Sequence, residues 1–276
     1  MKFLSINELV LKIGKILDQN QTVGYVPTMG ALHEGHLSII QRASIENDIV
    51  VVSIFVNPTQ FNNVEDLVNY PRTLDEDLKL MAHVSNLFVV QPEVSQVYSE
   101  KIPYLPFDIG RLSRTLEGEF RPGHFDGVVH VLHNLFHLIK PSRAYFGKKD
   151  FQQLTIVRML VKHYQFPIEV VACETFRSKE GLALSSRNRL LSLRGMTDAL
   201  IIWQTLNFVK EKKYTLDIKG VKKVAKDFFS TGNLKLEYLE LVNENTLMTA
   251  STWEESVVCF IAAYCEDVRL IDNMLV

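Results

Sequence analysis

The chain has 276 residues, 47% of them hydrophobic and 22% charged, with a formal net charge of -2, which is the profile of a soluble globular protein with material for one large domain or two smaller ones. That balance excludes a general nucleic-acid binder or a polybasic membrane-surface protein, so any anion binding must be local. The three cysteines, Cys173, Cys259 and Cys265, form no C-x-x-C pair; this argues against a disulfide framework or structural zinc and fits a reducing, cytoplasmic setting.

The N-terminal stretch is apolar in flavour, but Asn7, Glu8, Lys12 and Lys15 interrupt it and no small-residue cleavage site follows, so it does not read as a signal peptide. No segment approaches the ~18 uninterrupted apolar residues of a membrane span. Ser5 with Glu8 reads as a capping box, and Ile6, Leu9, Val10, Ile13 and Leu17 recur at helical spacing. Then come a β-rich run at 22–26, a helix-like segment at 36–48 and a continuous apolar strand at 49–55. A helix at 73–83, capped by Thr73 with Glu76, leads to a strand at 86–90. Beyond a Pro-spotted segment the pattern gives a helix at 126–140, a strand at 143–147, a helix at about 150–163 and a strand at 168–173.

Repeated β-α alternation predicts an α/β fold with a doubly wound parallel sheet. After about residue 175 the grammar changes. Helical patterns near 195–212 and 217–230 precede strand-like runs at 234–242 and 256–264, which predicts a smaller α+β domain with antiparallel strands. The expected domains are 1–175 and 176–276. No internal repeat or low-complexity tract is present.

In an open parallel sheet, ligands bind beyond the carboxyl ends of the strands, where loops enter helices. "PTMGALHEGH" at 27–36 follows the strand at 22–26 and opens a helix at Gly35 or His36. A helix start favours anions through unpaired N–H groups and its dipole, and His33 and His36 add donors for phosphate oxygens. A metal pair is the weaker reading, because H-x-x-H lacks the i, i+4 spacing and the Glu of H-E-x-x-H and has no third ligand nearby.

This stretch resembles the ATP-binding signature of the pantothenate synthetase family, relatives of the HIGH-motif nucleotidylyltransferases and class I aminoacyl-tRNA synthetases. Further blocks of the same family follow in its order: "VVSIFVNPTQF" (51–61), "YPRTLDEDL" (70–78), "LEGEFRPGHFDGV" (116–128), "FGKKDFQQL" (146–154), "GLALSSRNRLL" (181–191) and "RLIDN" (269–273). The resemblance implies a Rossmann-like, HIGH-type domain. It also implies an ATP site built from Met29, Gly30, Ala31, Leu32, His33, Glu34, Gly35 and His36, from Gly147, Lys148, Lys149 and Asp150, from the backbone near Phe176, and from Leu184, Ser185, Ser186 and Arg187 of the smaller domain. His36 is the implied proton donor, and Gln60 and Gln153 the implied pantoate ligands. Homodimerisation through the larger domain is implied as well.

Each implied role has a physical counterpart. Neutral amides at Gln60 and Gln153 suit a substrate with hydroxyls and a carboxylate better than a second charge would. Gly147 lets backbone approach a ligand, Asp150 can accept from ribose hydroxyls, and Gln153 lies one helical turn further on. The family commonly has Glu or Gln after that glycine, where Lys148 stands here; counting back from Asp150 and Gln153 makes Lys149 the phosphate ligand and leaves Lys148 solvated. Arg187 offers a fork for phosphate oxygens that follow the charge into pyrophosphate.

The function expected is ATP-dependent condensation of pantoate with β-alanine through a pantoyl adenylate, with His33, His36, Lys149 and Arg187 opposing charge on the polyphosphate. Magnesium should ride on the ATP phosphates; Asp75, Glu76 and Asp77 could hold it through water, but acids at a helix start also serve the dipole, so no protein metal ligand is assigned. The rival readings are another HIGH-type adenylyltransferase, which would want cations where Gln60 and Gln153 stand, and a nucleotide sensor that does not turn over. His130, His133 and His137 lie opposite the apolar arc of their helix and read as a solvated face. Cys259 reads as a small core residue.

Overall fold

Continuous Val- and Ile-rich runs bury both faces of a strand, and that is how the first part of the chain is built. In the computed structural model, which describes residues 1–276, the strands are Lys2–Leu4 (β1), Val23–Thr28 (β2), Ile49–Ile54 (β3), Leu87–Val90 (β4), Arg143–Gly147 (β5) and Glu169–Cys173 (β6). They form one parallel sheet in the order β1-β4-β3-β2-β5-β6. The crossover helices include Glu34–Glu46, Leu74–Met81, His124–Ile139 and Phe151–His163. Val26, Leu32, Ile40, Val50, Val52, Met81 and Val89 pack one core layer. β1 has no signature in the sequence, because three residues are too few to display a period.

The strand order creates a switch point. From β2 the chain winds outward through β3 and β4, while from β5 it winds the other way to β6, and β2 and β5 lie side by side with Gly24 opposite Arg143 and Tyr25 opposite Ala144. At such a reversal the loops leaving adjacent strands diverge and open a crevice at the carboxyl edge. Here those loops are 29–33 after β2 and 148–150 after β5, flanked by 55–60 after β3.

The chain divides into two compact units, Met1–Glu174 and Thr175–Val276. In the second, helices Leu200–Lys212 and Ile218–Phe229 cover an antiparallel sheet of Lys235–Asn243 (β7), Val257–Cys265 (β8) and Val268–Leu275 (β9). Ile218, Val221, Ala225 and Phe229 are the buried stripe of the second helix. β8 is the central strand, and Cys259 on it is a buried core residue. β9 is an addition to the expected strands; Arg269, Asp272 and Asn273 break its apolar alternation.

Two local expectations fail. Thr73 does not cap its helix with its side chain; its hydroxyl donates to Asp77 Oδ1 at 3.1 Å. The histidine face is not solvated either. His133 is 2% exposed, Tyr104 stacks on His130 with centroids 3.9 Å apart, and Tyr164 and Phe166 pack against His133. The helical wheel locates the face opposite the sheet correctly, but the segment around Tyr98 and Tyr104 and the end of the next helix cover it. Only His137 stays exposed.

Candidate active site

The loop after β2 is fastened from beneath. Asp77 is 1% exposed, and its carboxylate accepts from Ala31 N at 3.0 Å and from Leu32 N at 2.8 Å. Ala31 has a φ of 50°, a left-handed conformation that a residue with a Cβ keeps only when its surroundings hold it there. Leu32 plunges into the core. Asp77 is therefore committed to the loop rather than to a metal. The sequence carries a signal for this: Asp77 lies three residues after Leu74 and four before Met81, so it sits on the apolar face of its helix, where a carboxylate must be paired.

The two histidines form a capping box of imidazoles. The helix opens at Glu34 with His33 as N-cap; His33 Nδ1 accepts from Gly35 N at 3.1 Å, and His36 Nδ1 accepts from His33 N at 3.3 Å. The rings lie 4.1 Å apart, tilted by 40°. Two backbone N–H groups that a bare helix start would present to an anion are thus taken up by the rings. In exchange, each neutral ring with an accepting Nδ1 carries its proton on Nε2. Burial, then the proximity of His33 and of the Lys149 charge, pushes the His36 pKa down to about 3, so His36 is a neutral hydrogen-bond donor at physiological pH.

After β5, residues 148–150 form a single turn. Lys149 is mostly covered and lies 3.4 Å from Asp150 Oδ1. Lys148, expected to be solvated, is partly exposed and forms a surface ion pair with Glu174. The adjacent glutamines have separate tasks. Buried Gln152 accepts from Glu117 N at 3.0 Å and donates to Leu112 O and Thr115 O, both at 2.9 Å. The Gln153 amide is half-buried and makes no hydrogen bond within the protein.

Gln60 is delivered by a turn with more support than the Asn57-Pro58 pair alone. Asn57 is fully buried; its Oδ1 accepts from Thr59 N and from the Tyr98 hydroxyl, and its Nδ2 donates to Gly127 O. A Cβ on Gly127 would stand 2.2 Å from Thr59 O, so only glycine lets this helix touch the turn. His124 Nδ1–H donates to Gln60 O at 2.8 Å. Burial, then Arg121, pushes the His124 pKa down to about 3. This leaves the Gln60 side chain without a protein partner, as with Gln153. His124, Asn57 and Gln152 are absent from the expected site residues, although the blocks at 116–128, 51–61 and 146–154 contain them.

In the second unit, Leu184 N donates to Phe176 O at 3.0 Å, so two backbone positions expected near the nucleotide are bonded to each other. Ser185 caps the short turn Ser186–Leu190, its Oγ accepting from Arg187 N at 3.3 Å. Ser186 is buried. The backbone N–H of Arg187 is therefore occupied.

The first unit is thus a doubly wound α/β sheet whose switch point carries a paired-imidazole helix start and a lysine turn, the crevice at which such sheets bind ligands. Residues 3–275 match the family model described as pantoate-beta-alanine ligase. The pantothenate synthetase of Bacteroides fragilis is 44% identical over 277 residues, covering 98% of this chain and 96% of its own length. That of Cytophaga hutchinsonii is 42% identical, covering 99% and 98%. The crystal structure of the Thermus thermophilus pantothenate synthetase superposes with a TM-score of 0.92 at 37% identity, covering 100% of this chain and 99% of the other. The Francisella tularensis pantoate-beta-alanine ligase, complexed with beta-gamma ATP and beta-alanine, gives 0.82 at 33% identity, covering 100% and 97%. The chain belongs to the pantoate–beta-alanine ligase family and is an ATP-dependent ligase of that kind.

Proposed function

We propose that the ligation runs through a pantoyl adenylate on the residues described above. A pantoate carboxylate oxygen attacks the α-phosphorus of ATP, the bond to the β-phosphate bridging oxygen breaks, and pyrophosphate leaves. The amine of β-alanine then attacks the acyl carbon, AMP departs with the carboxyl oxygen, and the amine proton is lost to give pantothenate. Phosphoryl chemistry of this type depends on positioning and on opposing the charge that moves onto the leaving group.

The observation that carries this reading is the mutual capping of His33 and His36 through Nδ1 at the switch point, with the Lys149 charge close enough to act on His36. Neutral donors stabilise developing charge with no proton transfer, so His36 acts as a hydrogen-bond donor rather than as an acid. Lys149 and Arg187 supply point charge and fork to the polyphosphate. Gln60 and Gln153, with their amides unclaimed by the protein, take the pantoate hydroxyls and carboxylate. Met29–His36, Gly147–Asp150, and Phe176 with Leu184–Arg187 hold the rest of ATP, Asp150 taking ribose hydroxyls.

Magnesium arrives on the ATP phosphates as part of the substrate. The Asp77 carboxylate is taken up by Ala31 N and Leu32 N. The protein works in the cytoplasm as a homodimer; the free cysteines fit a reducing compartment, and no helix is long and apolar enough to cross a membrane. Pyrophosphate release from ATP, measured with pantoate alone and then with β-alanine added, tests the mechanism. Release that needs pantoate but not β-alanine is the expected result; release that requires both from the first turnover rules out a free-standing adenylation step.

A further inference from the structure

Residues 176–184 form a narrow hairpin in which Leu184 N donates to Phe176 O at 3.0 Å, Ser178 N donates to Leu182 O at 2.8 Å, and Arg177 pairs with Ala183. The hairpin is pinned at its root by three residues far apart in sequence. Arg177 grips Asp272 of β9 with both prongs, Nη1 to Oδ2 at 2.5 Å and Nη2 to Oδ1 at 2.9 Å. The same nitrogens donate to Gly181 O at 3.2 Å and Asn273 O at 3.4 Å. The guanidinium carbon lies 4.2 Å from the centre of the Trp203 ring. Gly181 presses on the same indole at a φ of 105°, and a Cβ there would stand 2.1 Å from Trp203 Cδ1.

Stability alone is a weak reason for this arrangement. Asp272 is 3% and Arg177 16% exposed in their side chains, and a buried ion pair is often no more stabilising than an apolar pair of the same volume. What it supplies is geometry. One planar cation ties the start of the hairpin, its turn and a sheet strand into a single register, and the indole fixes the plane of the cation. The register passes onward, since Asn188 Nδ2 donates to Ala183 O at 3.3 Å and Ser185 caps Arg187 N.

We propose that Arg177, Asp272 and Trp203 form a positioning device for Ser185, Ser186 and Arg187, setting the rate of adenylation without touching a substrate. The proposal rests on the mechanism above, in which those three residues meet the ATP phosphates. A guanidinium that grips the departing phosphates must be aimed closely, because a displacement of about 1 Å can lower turnover by ~10²-fold. The Arg177 fork is the structural reason the Arg187 segment begins from a fixed point.

Two full-length variants test it. Arg177→Lys keeps the charge but loses the fork; Gly181→Ala keeps the ion pair but forces the turn off Trp203. Both should lower the kcat of pantoate-dependent pyrophosphate release by roughly tenfold or more, with the pantoate KM changed less than about twofold because Gln60 and Gln153 belong to the other unit. Hydrogen exchange followed by mass spectrometry should accelerate at amides 178–187 and not across β7 and β8. Normal kcat in both variants, or faster exchange spread through the whole second unit, overturns the proposal. Wild-type protein that releases no pyrophosphate with pantoate would instead overturn the mechanism, and the exchange pattern would still decide whether the device holds the loop.

Discussion

The loop at 29–33 and the loop at 176–187, both proposed to meet the ATP phosphates, are fastened by opposite chemistries. A buried carboxylate, Asp77, holds the first by accepting two backbone N–H groups; a guanidinium, Arg177, holds the second by donating to two backbone carbonyls and to Asp272. In both, backbone amides near the point of contact are already used: Gly35 N and His33 N by imidazoles, Arg187 N by Ser185. Phosphate-cradling loops elsewhere rely on such amides. With those three amides occupied, the proposed phosphate contacts fall more heavily on side chains, which mutation can test.

The largest effect should come from His36→Ala. Loss of one aimed donor typically costs ~10²–10³ in turnover, so pantoate-dependent pyrophosphate release should fall by that order. The capping box loses one acceptor at the same time, a cost of about 1 kcal/mol, and the melting temperature should therefore move only slightly. An unchanged rate removes His36 from the chemistry.

Asp77→Asn comes next and bears directly on the comparison. The amide leaves one oxygen where two served Ala31 N and Leu32 N, and its NH₂ faces a donor. An orphaned buried N–H costs roughly 1–3 kcal/mol, and a loop that drifts should lower kcat by about tenfold to a hundredfold. Steady-state kinetics and thermal unfolding check both numbers. A kinetic loss as large as that of His36→Ala would mean that the whole imidazole pair depends on this one carboxylate.

The adjacent glutamines allow a sharper contrast. Gln153→Ala should raise the pantoate KM with little change in melting temperature, because its amide bonds nothing in the protein. Gln152→Ala strands Glu117 N and two carbonyls and should cost about 2–3 kcal/mol of stability, read as a lower melting temperature, with a smaller change in pantoate KM. Reversed phenotypes would exchange the roles given to the two residues.

Much of the fold is legible because its signals are local. Apolar runs at 49–54 and 143–147, the Ser5 capping box and the stripe of Ile218–Phe229 each follow from spacing alone. The positions of the candidate loops are legible for a related reason, since they follow strands at the carboxyl edge. What stays hidden depends on partners distant in sequence. Asp77 reads as a dipole acid until Ala31 lies above it, and His133 reads as solvated until Tyr164 and Phe166 arrive. Gln152 and Gln153 differ only by about 100° of helical rotation, and no pattern within the helix says which one the 112–117 segment will claim.

Acid should produce the smallest effect on rate and a clear effect on stability, and the sign of each follows from two histidines whose pKa is depressed. His36 and His124 titrate near 3 in the folded chain against about 6.5 when unfolded. Below about pH 6.5 the unfolded state takes up protons that the folded state refuses. The stability these rings contribute is therefore complete above about pH 6.5 and drains away as pH falls toward 3, at roughly 1.4 kcal/mol per pH unit for each ring. The His36→Gln and His124→Gln variants should each flatten that acid slope in denaturant titrations. The rate behaves differently: an imidazolium donor at position 36 would quicken adenylation as pH dropped through about 6.5, whereas a neutral donor leaves kcat without a midpoint there. A single-turnover profile between about pH 5.5 and 8 should show no step near 6.5; a step that vanishes in His36→Gln would restore the proton-donor role and contradict the capping geometry.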